Sequence, residues 1–245
     1  MSLENQDRSV NGASFPRDGH QPGRESVRPA TSAQTKSYRG LAPEFPSPAE
    51  GPLGLRDLLG GDAERCPPAP VELEIGFGRG RFLIERAQVV PGHAVVGIEV
   101  KPKWAFRVHE RCARMNLANV RVFCADARQV LERLQGQSML DRVFVHFPDP
   151  WWKKRHAKRK VLSDPTLAAL ARLIKPSGEL YVQTDVEERA QEFWGALQRV
   201  GGFQCQWLTH NPFGARSNRE ARADEDGLPV WRLLAIRDAS NPGAC

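Results

Sequence analysis

The chain has 245 residues, room for one α/β domain with a full core but not for two such domains and a long tail. No apolar run approaches the roughly 20 residues needed to cross a bilayer, and the first 30 lack the apolar centre of a signal peptide, so a soluble, cytoplasmic protein is expected. Lys and Arg outnumber Asp and Glu by 35 to 29, a formal charge of +6 that suits a polyanionic partner without naming one.

Residues 1–48 are rich in Ser, Pro, Gly, Gln and Arg, with no sustained apolar periodicity, and read as a disordered leader. Residues 49–70 form a transition in which Leu53, Leu55, Leu58 and Leu59 can make a short helix or turn, ended by the Pro-rich stretch Cys66 to Pro70. The folded domain is expected over 71–237, followed by a short tail at 238–245.

Within that domain, short β-branched runs alternate with helical patterns. The expected order is strand Val71 to Ile75, helix Arg81 to Val89, strand Ala94 to Val100, helix Lys103 to Met115 and strand Val120 to Ala125. It continues with helix Ala127 to Leu134, strand Arg142 to Phe147, helix Pro165 to Ile174, strand Glu179 to Thr184 and helix Glu187 to Val200. Five such units imply a parallel sheet covered by helices on both faces. Phe203 to His210 and Val230 to Arg237 read as two more strands without a long crossover helix between them, so an antiparallel pair at one edge is expected. This pattern resembles the Rossmann-like, seven-stranded fold of class I methyltransferases, mostly parallel with an antiparallel final strand.

The first strand runs into Glu74-Ile75-Gly76-Phe77-Gly78-Arg79-Gly80, whose glycines allow a sharp turn and a close approach by a ligand. The spacing is Gly-x-Gly-x-Gly, unlike the Gly-x-Gly-x-x-Gly that cradles a pyrophosphate, and Glu74 just ahead of it repels phosphate. A cationic sulfonium cofactor with an amino acid tail, S-adenosylmethionine, fits better. Gly76 and Gly78 would lie against it, and Glu99, ending the second strand, would accept both ribose hydroxyls. Asp126, after the third strand, could accept from the adenine amino group.

The fourth strand leads into Phe147-Pro148-Asp149-Pro150-Trp151-Trp152-Lys153, where two prolines fix the backbone around Asp149, the candidate catalytic acid. From Lys153 to Lys160 the sequence reads KKRHAKRK, and this run behind two tryptophans suits a phosphate backbone and stacked bases. The five cysteines (Cys66, Cys112, Cys124, Cys205, Cys245) form no Cys-x-x-Cys pair, and the six histidines never join them at ligand spacing. Reduced thiols and no metal site are expected.

Together these residues resemble the bacterial tRNA guanine-N7 methyltransferases, over about Val71 to Arg237. The most specific parts are the stretch from Phe147 to Trp151 with Arg155, His156, Lys158 and Arg159, then Gln183-Thr184-Asp185, and Gly227-Leu228-Pro229-Val230-Trp231. The resemblance implies that Glu74, Glu99 and Asp126 bind the cofactor, that Asp149 also contacts it, and that Lys153 and Asp185 contact the tRNA. It also implies a substrate role for Ser217, Asn218, Arg219 and Glu220, which stand at the family's Thr-x-Tyr/Phe-Glu motif with Arg219 replacing an aromatic. The expected partner is tRNA, with no membrane and no metal, for a monomer or a homodimer alike. Three other readings remain: a class I methyltransferase on another substrate, which leaves the basic loop unexplained, a catalytically silent RNA-binding module that keeps only fold and charge, and a nicotinamide oxidoreductase, disfavoured by the glycine spacing and by Glu74 ahead of it.

Overall fold

The structure, a computed structural model, describes residues 38, 40–45, 51–60, 69–148 and 160–239. Seven strands form one sheet: β1 (Val71–Ile75), β2 (Ala94–Glu99), β3 (Val120–Cys124), β4 (Leu140–His146), β5 (Ile174–Thr184), β6 (Phe203–Leu208) and β7 (Trp231–Arg237). Their spatial order is β3-β2-β1-β4-β5-β7-β6. The first five pair in parallel. Strand β7 slots between β5 and β6 and runs antiparallel to both, so β6 reaches the sheet only through β7.

The alternation of helices with parallel strands follows from burial. All five residues of β1 are buried, as expected of a strand covered on both faces. Leu73 and Ile75 with Val143 and Val145 point into a mainly aliphatic core. That core is closed by residues of α1 (Leu55–Leu58), α4 (Ala127–Arg133), α5 (Asp164–Leu173) and α6 (Glu187–Val200). The opposite face packs against α2 (Arg81–Val89) and α3 (Pro102–Arg114), partly through an aromatic cluster of Phe82, Phe144, Tyr181 and Phe213. Phe82 and Phe144 lie 4.7 Å apart, and Phe144 meets Phe213 edge-on at 4.9 Å.

The transition segment behaves as its leucines suggest: Leu58 is fully buried, and Leu53 bridges to Leu134. Packing also reaches into the segment expected to be leader. Ala42 and Phe45 are buried, the Cys124 amide donates to the Pro43 carbonyl at 2.6 Å, and Phe45 stacks edge-on against Phe123 at 4.7 Å.

Two local differences stand out. Strand β5 begins at Ile174, ahead of the expected Glu179, because Leu140 pairs with Ile174 and Arg142 with Glu179, leaving residues 175–178 looped out between the two registers. The β6–β7 connection, expected to lack a long crossover helix, carries the eight-residue α7 (Asn218–Glu225). Ser217 caps it, its hydroxyl accepting from the Glu220 amide at 3.1 Å. No helix among the described residues is long and apolar enough to cross a membrane.

Candidate active site

In an open parallel sheet, ligands bind at the carboxyl ends of the strands where the order reverses, here between β1 and β4. A cavity of about 630 Å³ opens there, lined by residues from the loops after β1, β2, β3 and β4 and by Ser217, Asn218 and Arg219 at the start of α7.

The loop from Gly76 to Gly80 forms one wall. Gly76 and Gly78 have φ of 74° and 56°, left-handed values that suit glycine, and a β-carbon at either would meet no protein atom. The open side of this loop is therefore available to a ligand. Its backbone is tied to β2: the Gly76 amide donates to the Ile98 carbonyl at 2.8 Å, and the Gly78 amide to Glu99 Oε2 at 2.9 Å.

Three carboxylates sit along the strand ends. Glu99 is 6% exposed and is oriented at both oxygens, by Gly78 on Oε2 and by the Lys101 amide on Oε1 at 2.9 Å. Asp126 caps α4, accepting from the Arg128 amide at 3.0 Å, and the Arg128 guanidinium holds its carboxyl below the usual range despite partial burial. Glu74 is 2% exposed at the cavity floor, with Oε1 3.0 Å from His146 Nδ1 on the adjacent strand. Its Oε2 is buried and has no hydrogen-bond partner among the described residues. A buried carboxylate oxygen is costly without a donor, and because Glu74 lines the cavity, a cationic or amino-bearing ligand there could supply one.

Around these acids the lining includes four cations: Arg79, Lys101, Arg128 and Arg219. Arg128 is engaged with Asp126 and Arg219 with Asp185, whereas Arg79 stands exposed. An anionic interior with a cationic surround matches a positively charged ligand inside and a polyanion outside.

The structure thus brings Glu74, Gly76, Gly78, Glu99 and Asp126 to one cavity with Ser217, Asn218 and Arg219. Asp185 stands beside it, with Arg219 Nε donating to its Oδ2 at 2.8 Å and Nη2 to the same oxygen. Glu220, expected to share that substrate role, is not among the residues that line the cavity. It is 1% exposed and accepts from Gln183 at 2.6 Å, Asn211 at 2.9 Å and Arg232 at 3.1 Å. Those bonds pin α7 to β5 and β7, making Glu220 a strut for its neighbours. Asp149 and Lys153 lie outside the described residues, as do Trp151, Trp152 and all of the basic run except Lys160.

His146 was not singled out in the sequence. The available signal was its place: a polar residue at the end of an apolar strand, two positions after Phe144 and so on the same face. It packs 4.2 Å from the Phe82 ring while holding Glu74.

Known proteins share both fold and sequence with this chain. A family profile described as "Putative methyltransferase" matches residues 68–233. A tRNA (guanine-N(7)-)-methyltransferase of Anaeromyxobacter dehalogenans is 39% identical over 75% of this chain and 94% of its own. Another, of Nitrosococcus oceani, is 35% identical over 86% of this chain and 88% of its own. Among solved structures, the 16S rRNA methyltransferase KamB superposes with a TM-score of 0.51 at 16% identity, covering 87% of this chain and 97% of KamB. A SAM-dependent O-methyltransferase of Thermotoga maritima gives a TM-score of 0.50 at 13% identity, covering 89% of this chain and 69% of its own, and both show the class I methyltransferase fold. At 35–39% identity over most of both lengths, the chain belongs to the bacterial tRNA (guanine-N(7)-)-methyltransferase family.

Proposed function

We propose that this chain transfers the methyl group of S-adenosylmethionine to N7 of a guanosine in tRNA, at position 46 of the variable loop, in the cytoplasm. The observation that carries the reading is the acid-lined cavity of a chain whose relatives are named for this reaction.

The residues fit the cofactor. Glu74 Oε2, buried and unpartnered, suits its cationic amino acid end; Glu99 suits the ribose diol and Asp126 the adenine amino group. The open faces of Gly76 and Gly78 leave room for its body. When bound, S-adenosylmethionine supplies a methyl group made electrophilic by the sulfonium.

Guanine N7 carries an in-plane lone pair that needs no deprotonation, so the protein has to align the partners more than to remove a proton. Such alignment contributes on the order of 7–11 kcal/mol. Asp149 is the proposed acceptor for guanine N1–H and the exocyclic amine, with Asp185 as the other candidate. Among the described residues, both Arg219 bonds to Asp185 end on Oδ2, so Oδ1 is left to accept. A carboxylate in that role disfavours adenine, which would leave it unpaired. Ser217 and Asn218 frame the same side of the cavity, Arg219 stacks or meets phosphate there, and Lys153 makes a phosphate contact.

The test is transfer of labelled methyl from S-adenosylmethionine to unmodified tRNA, with product nucleosides identified by mass. The expected product is 7-methylguanosine, lost in Asp149→Asn. Methylation of another atom, or no transfer by a protein that still binds cofactor, would overturn the assignment.

A further inference from the structure

Helix α3 presents a cationic stripe that no ion pair among the described residues explains. Lys103, Arg107, Arg111 and Arg114 recur at helical spacing, opposite the buried Ala105, Val108 and Cys112. At about 1.5 Å rise per residue the stripe is about 16 Å long. None of the four is ion-paired to a carboxylate among the described residues, and Glu110 beside them makes no such pair either. Like charges four residues apart destabilise an isolated helix by a few tenths of a kcal/mol each, so folding alone does not favour the arrangement.

The stripe surrounds an aromatic ring. Trp104 is half-buried, with the cationic groups of Arg79, Lys103 and Arg107 lying 5.4, 5.6 and 5.8 Å from its centroid. Trp104, Arg107, Arg111 and Arg114, with one acid, Glu110, line a groove of about 680 Å³, and Arg79 lines both this groove and the cofactor cavity, so cations outnumber the acid four to one. An anion-attracting groove with an indole in its wall, sharing a residue with the methyl-transfer cavity, suits a strand of RNA with an unpaired base.

We infer that this groove on α3 docks the RNA substrate, with one unpaired base stacking on Trp104 and the adjoining phosphates lying on Arg107, Arg111 and Arg114. The inference rests on the proposed reaction for the identity of the RNA as tRNA. It assigns a second contact surface, separate from the basic run after Asp149.

The full-length chain and three variants, Arg107→Glu with Arg111→Glu, Trp104→Ala and Trp104→Phe, would be titrated with unmodified tRNA at several salt concentrations. Cofactor affinity and thermal unfolding would be followed alongside. The charge reversals should raise the tRNA Kd about tenfold or more and flatten the salt dependence by about 1.4 to 1.8 in log–log slope, two phosphate contacts' worth. Trp104→Ala should weaken binding about fivefold or more, with Trp104→Phe close to the parent. Cofactor affinity should stay within about twofold of the parent. Should Trp104→Ala fail to fold, the exposed arginine reversals decide alone. A tRNA Kd and salt slope unchanged in the reversals would overturn the inference, even if the parent forms 7-methylguanosine and the proposed reaction stands. Weakened binding in the variants of a parent that forms no 7-methylguanosine would uphold the groove and overturn the reaction. No tRNA binding by the parent overturns both.

Discussion

Glu72→Gln should be among the most destabilising single changes in this domain, although it lies two residues before the cavity floor. Glu72 is fully buried and accepts from Arg86 Nε on Oε2 at 2.7 Å, and from Arg86 Nη2 on Oε1 at 2.7 Å. Its Oε1 also receives Arg142 Nη1 at 3.1 Å and lies 2.8 Å from His93 Nδ1. Glutamine offers one acceptor and turns a donor toward the guanidinium, leaving a buried Arg86 short of its counter-charge. Removing one partner of a buried pair costs about 3–5 kcal/mol. For a domain of this size each kcal/mol moves Tm by about 2–4 °C, so a drop of about 6–20 °C is expected at pH 7. Burial alone would raise the Glu72 carboxyl, but the hydrogen bonds and charge of Arg86, with bonds from His93 and Arg142, hold it below its ordinary 4.5. A depressed carboxylate contributes stability above its unfolded value and loses it as pH falls through the folded one. The gap between parent and variant should therefore be full at neutral pH and narrow as the pH drops below about 4.5. Thermal unfolding followed by circular dichroism from pH 3 to 8 reads both effects. A Tm within about 2 °C of the parent at pH 7, or a gap that widens in acid, would refute the reasoning.

Three further changes probe other parts of the structure. Glu99→Ala removes the oriented acceptor at the end of β2 and should weaken S-adenosylmethionine about 10- to 100-fold by titration calorimetry; an unchanged affinity would remove the ribose role. Gly80→Ala forces a side chain into φ of 72° and puts its β-carbon 2.6 Å from Val108 Cγ2. Left-handed strain plus overpacking should cost about 2–5 kcal/mol, and a denaturation midpoint matching the parent's would contradict it. Burial pushes the Cys112 thiol up to about 11, so at pH 8 it stays protonated and should resist maleimide until the protein unfolds, as peptide mapping of the labelled chain would show.

The sequence was most informative where one residue pattern has one structural outcome. Buried parallel strands need apolar runs, and helices between them need a period near 3.6, so β1 to β4 and the helices between them were placed to within two residues, while β5 starts five residues early at its bulge. The glycine loop and the three strand-end acids were legible because their spacing to the strands fixes where they must lie. Helix α7 was missed because its sequence, NREARADE, is short and polar with little apolar periodicity. Ser217 followed by Glu220 is a helix-start signature that could have revealed it. The Glu220 side chain, however, bonds to Gln183, Asn211 and Arg232, partners far from it in sequence that no local pattern discloses. The same holds for His146 against Glu74 and for the order of the last two strands, which depend on contacts between distant segments.

The insertion of β7 between β5 and β6 bears on how the protein matures during synthesis. Strand β6 is synthesised more than 20 residues ahead of β7, its one neighbour in the sheet, and has nothing to pair with until β7 follows. The wall formed by Ser217, Asn218 and Arg219 is carried on the connection between these two strands, and Arg232 of β7 anchors it through Glu220. A nascent chain stopped before residue 231 would hold the glycine loop and all three strand-end acids, yet its binding cleft would stay open on one side.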